Sequence, residues 1–256
     1  MKQLIAFTKK EWLENIRTGK LLIMIIIFTI FGIMNPAIAK MTPWIYDMLS
    51  EQMAEQGIMI NEMTVDAMTS WMQYYKNISM GLIVLVVMFC GILANEFQKG
   101  TLINILTKGL SRWKVITAKS IISVFIWTLC YWLAYGITYG YNAYFWDNSI
   151  ARHLFVSAFF IYLVGIWLLS LLFVSSVFFE TSSGVLLFTG AIFAIIYIAS
   201  MIPTISDYLP TKLLSSGDLL TNASEPSDYI KSFIVTLVCL ILCYTITIIN
   251  FNKKRI

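Results

Sequence analysis

Charge is scarce in this chain. Asp, Glu, Lys and Arg make up 12% of its 256 residues, about half the roughly 25% of an ordinary soluble domain. So little charge excludes a water-soluble fold of this length, and a net charge of +4 is too small to point to nucleic acid. Histidine is almost absent. One residue, His153, cannot supply the convergent ligands of a zinc site or a His-Glu-x-x-His motif, and it reads as a surface residue. The four cysteines, Cys90, Cys130, Cys239 and Cys243, all fall inside apolar runs without framework spacing. They read as reduced, buried apolar residues. No Gly-x-x-x-x-Gly-Lys-[Ser/Thr] loop is present, so this chain does not hold ATP in that way. No Gly-x-Ser-x-Gly occurs either. No Asp, Glu, Lys or Arg stands in the middle of an apolar run. Intramembrane charges are costly and kept for function, so their absence speaks against an intramembrane protease and an ion-coupled carrier. The chain by itself is expected to be no enzyme and to bind no cofactor or metal.

What is abundant is apolar sequence in blocks. The chain is 59% hydrophobic with a mean hydropathy of +0.77. Six runs reach the roughly 20 residues a spanning helix needs: Leu21–Ala39, Ile78–Asn95, Val115–Gly140, Leu154–Phe179, Val185–Ile202 and Ile230–Asn250. None alternates with the period of a barrel strand, so each predicts a helix. The first run lacks a small-residue cleavage site before Pro36 and reads as a retained span. The expected fold is all-α: one transmembrane domain, residues 1–256, with six spans.

Basic residues set the orientation. Thirteen of the eighteen Lys and Arg lie before the first span, between the second and third, or after the sixth. Both termini are therefore expected in the cytoplasm. Residues 3–18 place Ile5, Trp12, Leu13 and Ile16 on one side of a helix, with Lys10, Glu11, Glu14 and Arg17 opposite. Phe7 falls off that stripe. This predicts an interfacial helix that turns into the first span. Pro36 is expected to end or kink that span. The outer segment, residues 40–77, carries Met and Trp at helical spacing, with Gly57 as a separator and Thr64 as an N-cap. Residues 203–229 read as a loop, and Lys253-Lys254-Arg255 as an anchor to anionic lipid.

Two stretches carry functional candidates. In the third span Trp127, Tyr131, Tyr135 and Tyr139 recur every four residues. They form either an aromatic wall of a substrate path or a packing and interfacial column. Gly136 and Gly140 beside them suggest close helix packing. The second stretch is basic and separates the second and third spans, residues 96–114. Gly100-Thr101 breaks the chain, Leu102, Ile105 and Leu106 offer one apolar face, Gly109 ends the short helix, and Ser111 is placed to cap the next. Lys99, Lys108 and Arg112 flank that face. Glu180, on the tight turn after the fourth span, has either a cation of this stretch or water as its partner.

Glu96, Gly100-Thr101-Leu102, Leu106-Thr107, Ser111-Arg112 and Lys119 resemble the pattern of ABC-2 type permeases of ABC transporters. Gly109 stands where that family often has proline. The layout of an amphipathic elbow, six spans and inward termini is similar too. The resemblance implies a permease subunit of a small bacterial exporter in the plasma membrane, energised by a separate ATPase. Glu96, Gly100, Thr101, Leu102, Ile105, Leu106 and Arg112 would then form the coupling segment. ATP and Mg would sit on the partner, a second permease copy or paralogue would complete the path, and the cargo would be hydrophobic or amphipathic. Two other readings are a stand-alone channel or secondary carrier, and a membrane scaffold that transports nothing.

Overall fold

The computed structural model describes residues 1–54, 65–107 and 109–254, without the side chains of 46, 47, 49–54, 104 and 105. Gly57, Thr64, Lys108 and Arg255 lie outside the described residues, as does the side chain of Ile105. The helices are α1 (Lys2–Arg17), α2 (Lys20–Ala54), α3 (Ala67–Phe89), α4 (Ala94–Gln98), α5 (Thr101–Thr107), α6 (Arg112–Phe145), α7 (Leu154–Phe178), α8 (Ser182–Ala199), α9 (Pro203–Ser206) and α10 (Ile230–Lys253). Three 3-10 segments join them at Asn148–Ile150, Pro210–Leu219 and Pro226–Tyr229. No strand occurs among the described residues. Six helical stretches are long and apolar enough to cross a membrane. Isoleucine, leucine and phenylalanine cover their outer faces, including Ile23, Ile30, Ile83, Phe125, Leu187 and Ile241. Exposed apolar surface on that scale is the mark of a lipid-facing bundle.

Helix α2 corrects the expected break at Pro36. It runs 35 residues through Pro36 and Pro43. Proline has no N–H, so the carbonyl four residues earlier loses its helical donor. Here that carbonyl, on Gly32, accepts from Thr138 Oγ1 at 3.0 Å. Asn35 Nδ2 donates to the same hydroxyl at 3.3 Å, and Asn77 Nδ2 donates to Asn35 Oδ1 at 2.8 Å. The polar group that proline orphans is thus satisfied from α6, and the helix continues. Gly32 permits the approach, because a Cβ there would lie 3.0 Å from both Ala134 O and Ile137 Cβ.

Helix α7 is the centre of the bundle, buried on most of its faces, whereas α8 buries only Val185 and Thr189. Trp127 of α6 lies flat on Gly165 of α7, where a Cβ would come within 2.2 Å of the indole. Its Nε1 donates to Tyr162 O at 3.0 Å. By contrast, a Cβ at Gly136 or Gly140 would meet nothing within 4 Å. The close helix contacts expected at those two glycines occur instead at Gly32 and Gly165.

At the end of the bundle away from α1, α3 is capped by Asp66, whose carboxylate accepts from Thr69 N at 3.0 Å. Residues 203–229 are not an irregular loop. They bury Leu213, Leu219, Leu220 and Tyr229, and Ser216 Oγ donates to Ser157 O of α7 at 3.0 Å. The fifth span stops at Ala199, three residues before the expected end. The N-terminal helix, the α4–α5 stretch and the end of α10 gather at one end of the bundle, called here the basal end.

Candidate functional site

The basal end is assembled from four breaks in otherwise continuous helices. Gly19, at φ +73°, turns α1 into α2, and Cys90–Leu93 separates α3 from α4. Gly100 and Gly109, at φ +63° and +84°, bracket α5. Only glycine takes that left-handed conformation without steric cost. Ser111 occupies the N-cap position of α6 but makes no capping bond, and its hydroxyl is buried without a partner among the described residues. The expectation that its side chain caps α6 is therefore corrected.

Within this frame five charges meet. Lys119, one turn and more into α6, is almost fully buried. Its Nζ lies 2.8 Å from Glu11 Oε2 of α1 and 3.0 Å from Glu96 Oε1 of α4. Lys10 Nζ reaches Glu11 Oε1 at 2.9 Å and Glu96 Oε1 at 3.5 Å, and pairs with Glu14 one turn along. Glu11 and Glu96 are also buried. An ammonium buried this deeply is tolerable only with paired, hydrogen-bonded anions around it. Burial alone would lower the pKa of Lys10, but the hydrogen bonds it donates to Glu14 and Glu11 outweigh it, and the pKa is raised. Burial likewise pushes Glu14 up, but Lys10 prevails and holds it below the ordinary glutamate value.

Helix α1 is accordingly turned the other way from a soluble amphipathic helix. Phe7 and Glu11 are its buried residues, while Ile5, Leu13 and Ile16 of the apolar stripe face outward. Trp12 edges onto Phe125 of α6 with ring centroids 5.4 Å apart. A helix with its charges on the bundle and its apolar stripe outward suits a lipid interface.

A second ionic assembly holds the end of α10. Arg112 Nη1 donates to Phe251 O at 2.8 Å and to Asn252 O at 3.2 Å, and also to Lys254 O. These are C-terminal carbonyls that the helix cannot satisfy itself. Lys254 Nζ donates to Val177 O at 3.0 Å, pairs with Glu180 at 3.1 Å and lies 4.1 Å over the Phe97 ring. Among the described residues the partner of Glu180 is therefore Lys254. Lys254 itself is engaged inside the fold, which corrects its reading as a lipid anchor.

A family model described as ABC-2 family transporter protein matches residues 5–216, a span that takes in the elbow, α4–α5 and the first five spanning helices. The chain belongs to the ABC-2 family of transporter proteins. It is a multi-pass membrane protein, and its family implies an ATPase partner in general terms. It is also similar to an uncharacterized transmembrane protein of Bacillus subtilis (strain 168), YxlG, at 23% identity over 270 aligned positions. That alignment covers 99% of this chain and 98% of the relative.

In this ABC-2 chain the expected coupling residues separate into two groups. Gly100 and Gly109 bound a short helix, α5, and Thr101 is exposed at its start. Leu102 is fully buried in a cluster with Leu93, Val115, Ile116, Phe173 and Phe251, and Leu106 packs against the same cluster. Leu102 and Leu106, expected to point outward, therefore point into the bundle. Among the described side chains of α5 the exposed apolar residue is Ile103, 47% accessible. Glu96 and Arg112 face inward too, one into the ion cluster and one onto α10. In the aromatic column Trp127 and Tyr131 are fully buried, with Tyr131 OH donating to Ala158 O at 2.6 Å. Tyr135 is half-buried against Trp71, and Tyr139 is largely exposed.

Sequence reasoning placed Lys10 and Glu11 on a solvated face and missed their partner. The signal was Lys119 itself. It follows Val115, Ile116 and Ala118 and precedes Ile121 and Ile122. A lysine inside an apolar run requires an anion, and Glu11 was among the few acids at that end of the chain.

Proposed function

We propose that this chain is the membrane-spanning permease subunit of an ATP-driven exporter, with its basal end in the cytoplasm. Two such subunits, identical or paralogous, would enclose the path, and two separate ATPases would carry ATP and Mg. The chain supplies no catalytic group. Its cargo is a hydrophobic or amphipathic compound. The observation that carries this reading is α5: a seven-residue helix at the basal end, bracketed by two left-handed glycines, with Leu102 rooted in the core and Ile103 exposed. A helix fixed on one face and bare on the other is built to receive a push from outside the bundle. The thirteen basic residues around the basal connections support the cytoplasmic placement.

The test must avoid residues that hold the bundle together. Leu106 and Arg112 are engaged internally, so their loss would mix folding with docking. Ile103→Asp removes only the exposed apolar group. The wild-type chain is expected to co-purify with an ATPase and to stimulate its activity in proteoliposomes. Ile103→Asp is expected to fold and melt as the wild type does while losing that stimulation. Stimulation that survives the substitution would remove α5 as the docking surface. Transport of cargo with no ATPase present would favour the stand-alone carrier.

A further inference from the structure

Of the three carboxylates in the basal cluster, Glu96 is the supernumerary one. Glu11 and Glu14 balance Lys10 and Lys119 one for one. Glu11 bridges both ammoniums with a separate oxygen for each, at 2.9 and 2.8 Å. Glu96 offers a single oxygen to both, at 3.0 Å to Lys119 and 3.5 Å to Lys10. Its second oxygen, Oε2, is buried and has no partner among the described residues. If Glu11 left, Lys119 would keep a single contact, to Glu96, and Lys10 would keep Glu14 and the longer contact to Glu96. If Glu96 left, both ammoniums would remain paired and the rest of the cluster would be neutral. The cost of separating a buried pair lies mostly in the charge left uncompensated. Glu96 is therefore the contact whose release gives up least: one shared oxygen, with both ammoniums still held by Glu11 and Glu14.

The surroundings of Glu96 allow such a release. It borders a cavity of about 530 Å³ that is also lined by Asn15, Thr18, Lys20 and Lys99. Neither Lys20 nor Lys99 forms an ion pair among the described residues, so either offers Glu96 a second partner. The helix that carries Glu96 is five residues long and follows the turn at Cys90–Leu93. Gly100 and Gly109, on the other side, have open space around them. The opposite contact, α1 to α6, is closed by Glu11–Lys119, by Trp12 on Phe125 and by Lys114 Nζ donating to Gln3 Oε1 at 2.8 Å.

We infer that α1 and α6 move as one body joined through Glu11 and Lys119, and that Glu96 is the releasable contact on which α4 and α5 hinge against that body. This rests on the proposed docking of an ATPase at α5 and specifies what docking would move. Lys20 and Lys99 receive the glutamate when it leaves Lys119. Glu96 is thus a positioning residue that sets the state of the basal end, not a group that touches nucleotide or cargo.

Two measurements test it. The first uses the complex with its ATPase and a chain whose native cysteines are replaced by serine. A short, reducible bis-thiosulfonate linker joins either Trp12→Cys to Phe125→Cys or, across the cavity, Asn15→Cys of α1 to Asn95→Cys of α4. The α1–α6 link is expected to leave ATPase stimulation unchanged. The α1–α4 link is expected to abolish it, with recovery on reduction. A harmless α1–α4 link, or an inhibitory α1–α6 link, overturns the inference. The second measurement needs no ATPase and so stands even if the docking proposal fails. Glu11→Gln is expected to melt at a lower temperature than Glu96→Gln in the isolated chain. Equal melting, or the reverse order, shows Glu96 to be a structural member of the cluster like the others and overturns the inference.

Discussion

Two cations at the same end of the molecule are satisfied in opposite ways. Lys119 is matched by carboxylates from α1 and α4, elements far apart in sequence, beside a cavity. Arg112 is matched by main-chain carbonyls of α10, and no carboxylate touches it among the described residues. A carboxylate carries a full charge and can exchange one ammonium for another. A helix C-terminal carbonyl is fixed in direction and has no second partner to seek. The first assembly is suited to rearrangement and the second to holding α10 against the start of α6. Both flank α5, so a force applied to α5 meets a pliable joint on one side and a clamp on the other.

The sharpest way to break this contrast is to remove each cation in turn. Lys119→Met leaves Glu11 and Glu96 buried with one ammonium fewer. Stranding buried charge of this kind costs about 3–5 kcal/mol. The chain is expected to lose most of its folded yield in detergent, and adding Glu11→Gln is expected to restore part of it. Arg112→Met leaves carbonyls at a helix end close to water. An unmet hydrogen bond there costs about 1–3 kcal/mol at most. The chain is expected to fold, with faster hydrogen exchange confined to the last turn of α10. If the two substitutions destabilise the chain equally and globally, the distinction between joint and clamp is lost.

The difference between the two assemblies also marks what the sequence could reveal. The spans were legible because lipid demands long apolar runs, and Gly100 and Gly109 were legible because a left-handed turn selects glycine. The inward face of Leu102 was not. On a seven-residue helix, an apolar stripe that docks a partner and one that packs on the bundle have the same spacing. The continuity of α2 through Pro36 depended on Thr138, about a hundred positions away, and no local rule reaches that far. The Glu11–Lys119 pair spans a similar distance. Its only local trace was a lysine in apolar company. What escaped was in each case a contact made with a different helix.

Acid separates the two assemblies more gently. Glu14 is partly exposed and is held below its ordinary value by Lys10, which outweighs the effect of burial. A carboxylate whose folded pKa is depressed adds stability above its unfolded pKa. That contribution disappears as the pH falls through the folded value. Arg112 itself holds only carbonyls, which do not titrate in this range, and Lys254, which also pairs with exposed Glu180, keeps its bond to Val177 O. As the pH is lowered below the ordinary glutamate range, α1 is expected to loosen while the end of α10 stays in place. The effect is small, because solvent screens a half-exposed pair and such pairs contribute about 0–1 kcal/mol. Spin labels on exposed Ile16 and on exposed Asn252 would read the two ends separately. Mobility that rises at Ile16 alone supports the contrast. Mobility that rises equally at both positions would mean that acid acts on the whole basal end and not through the carboxylates of α1.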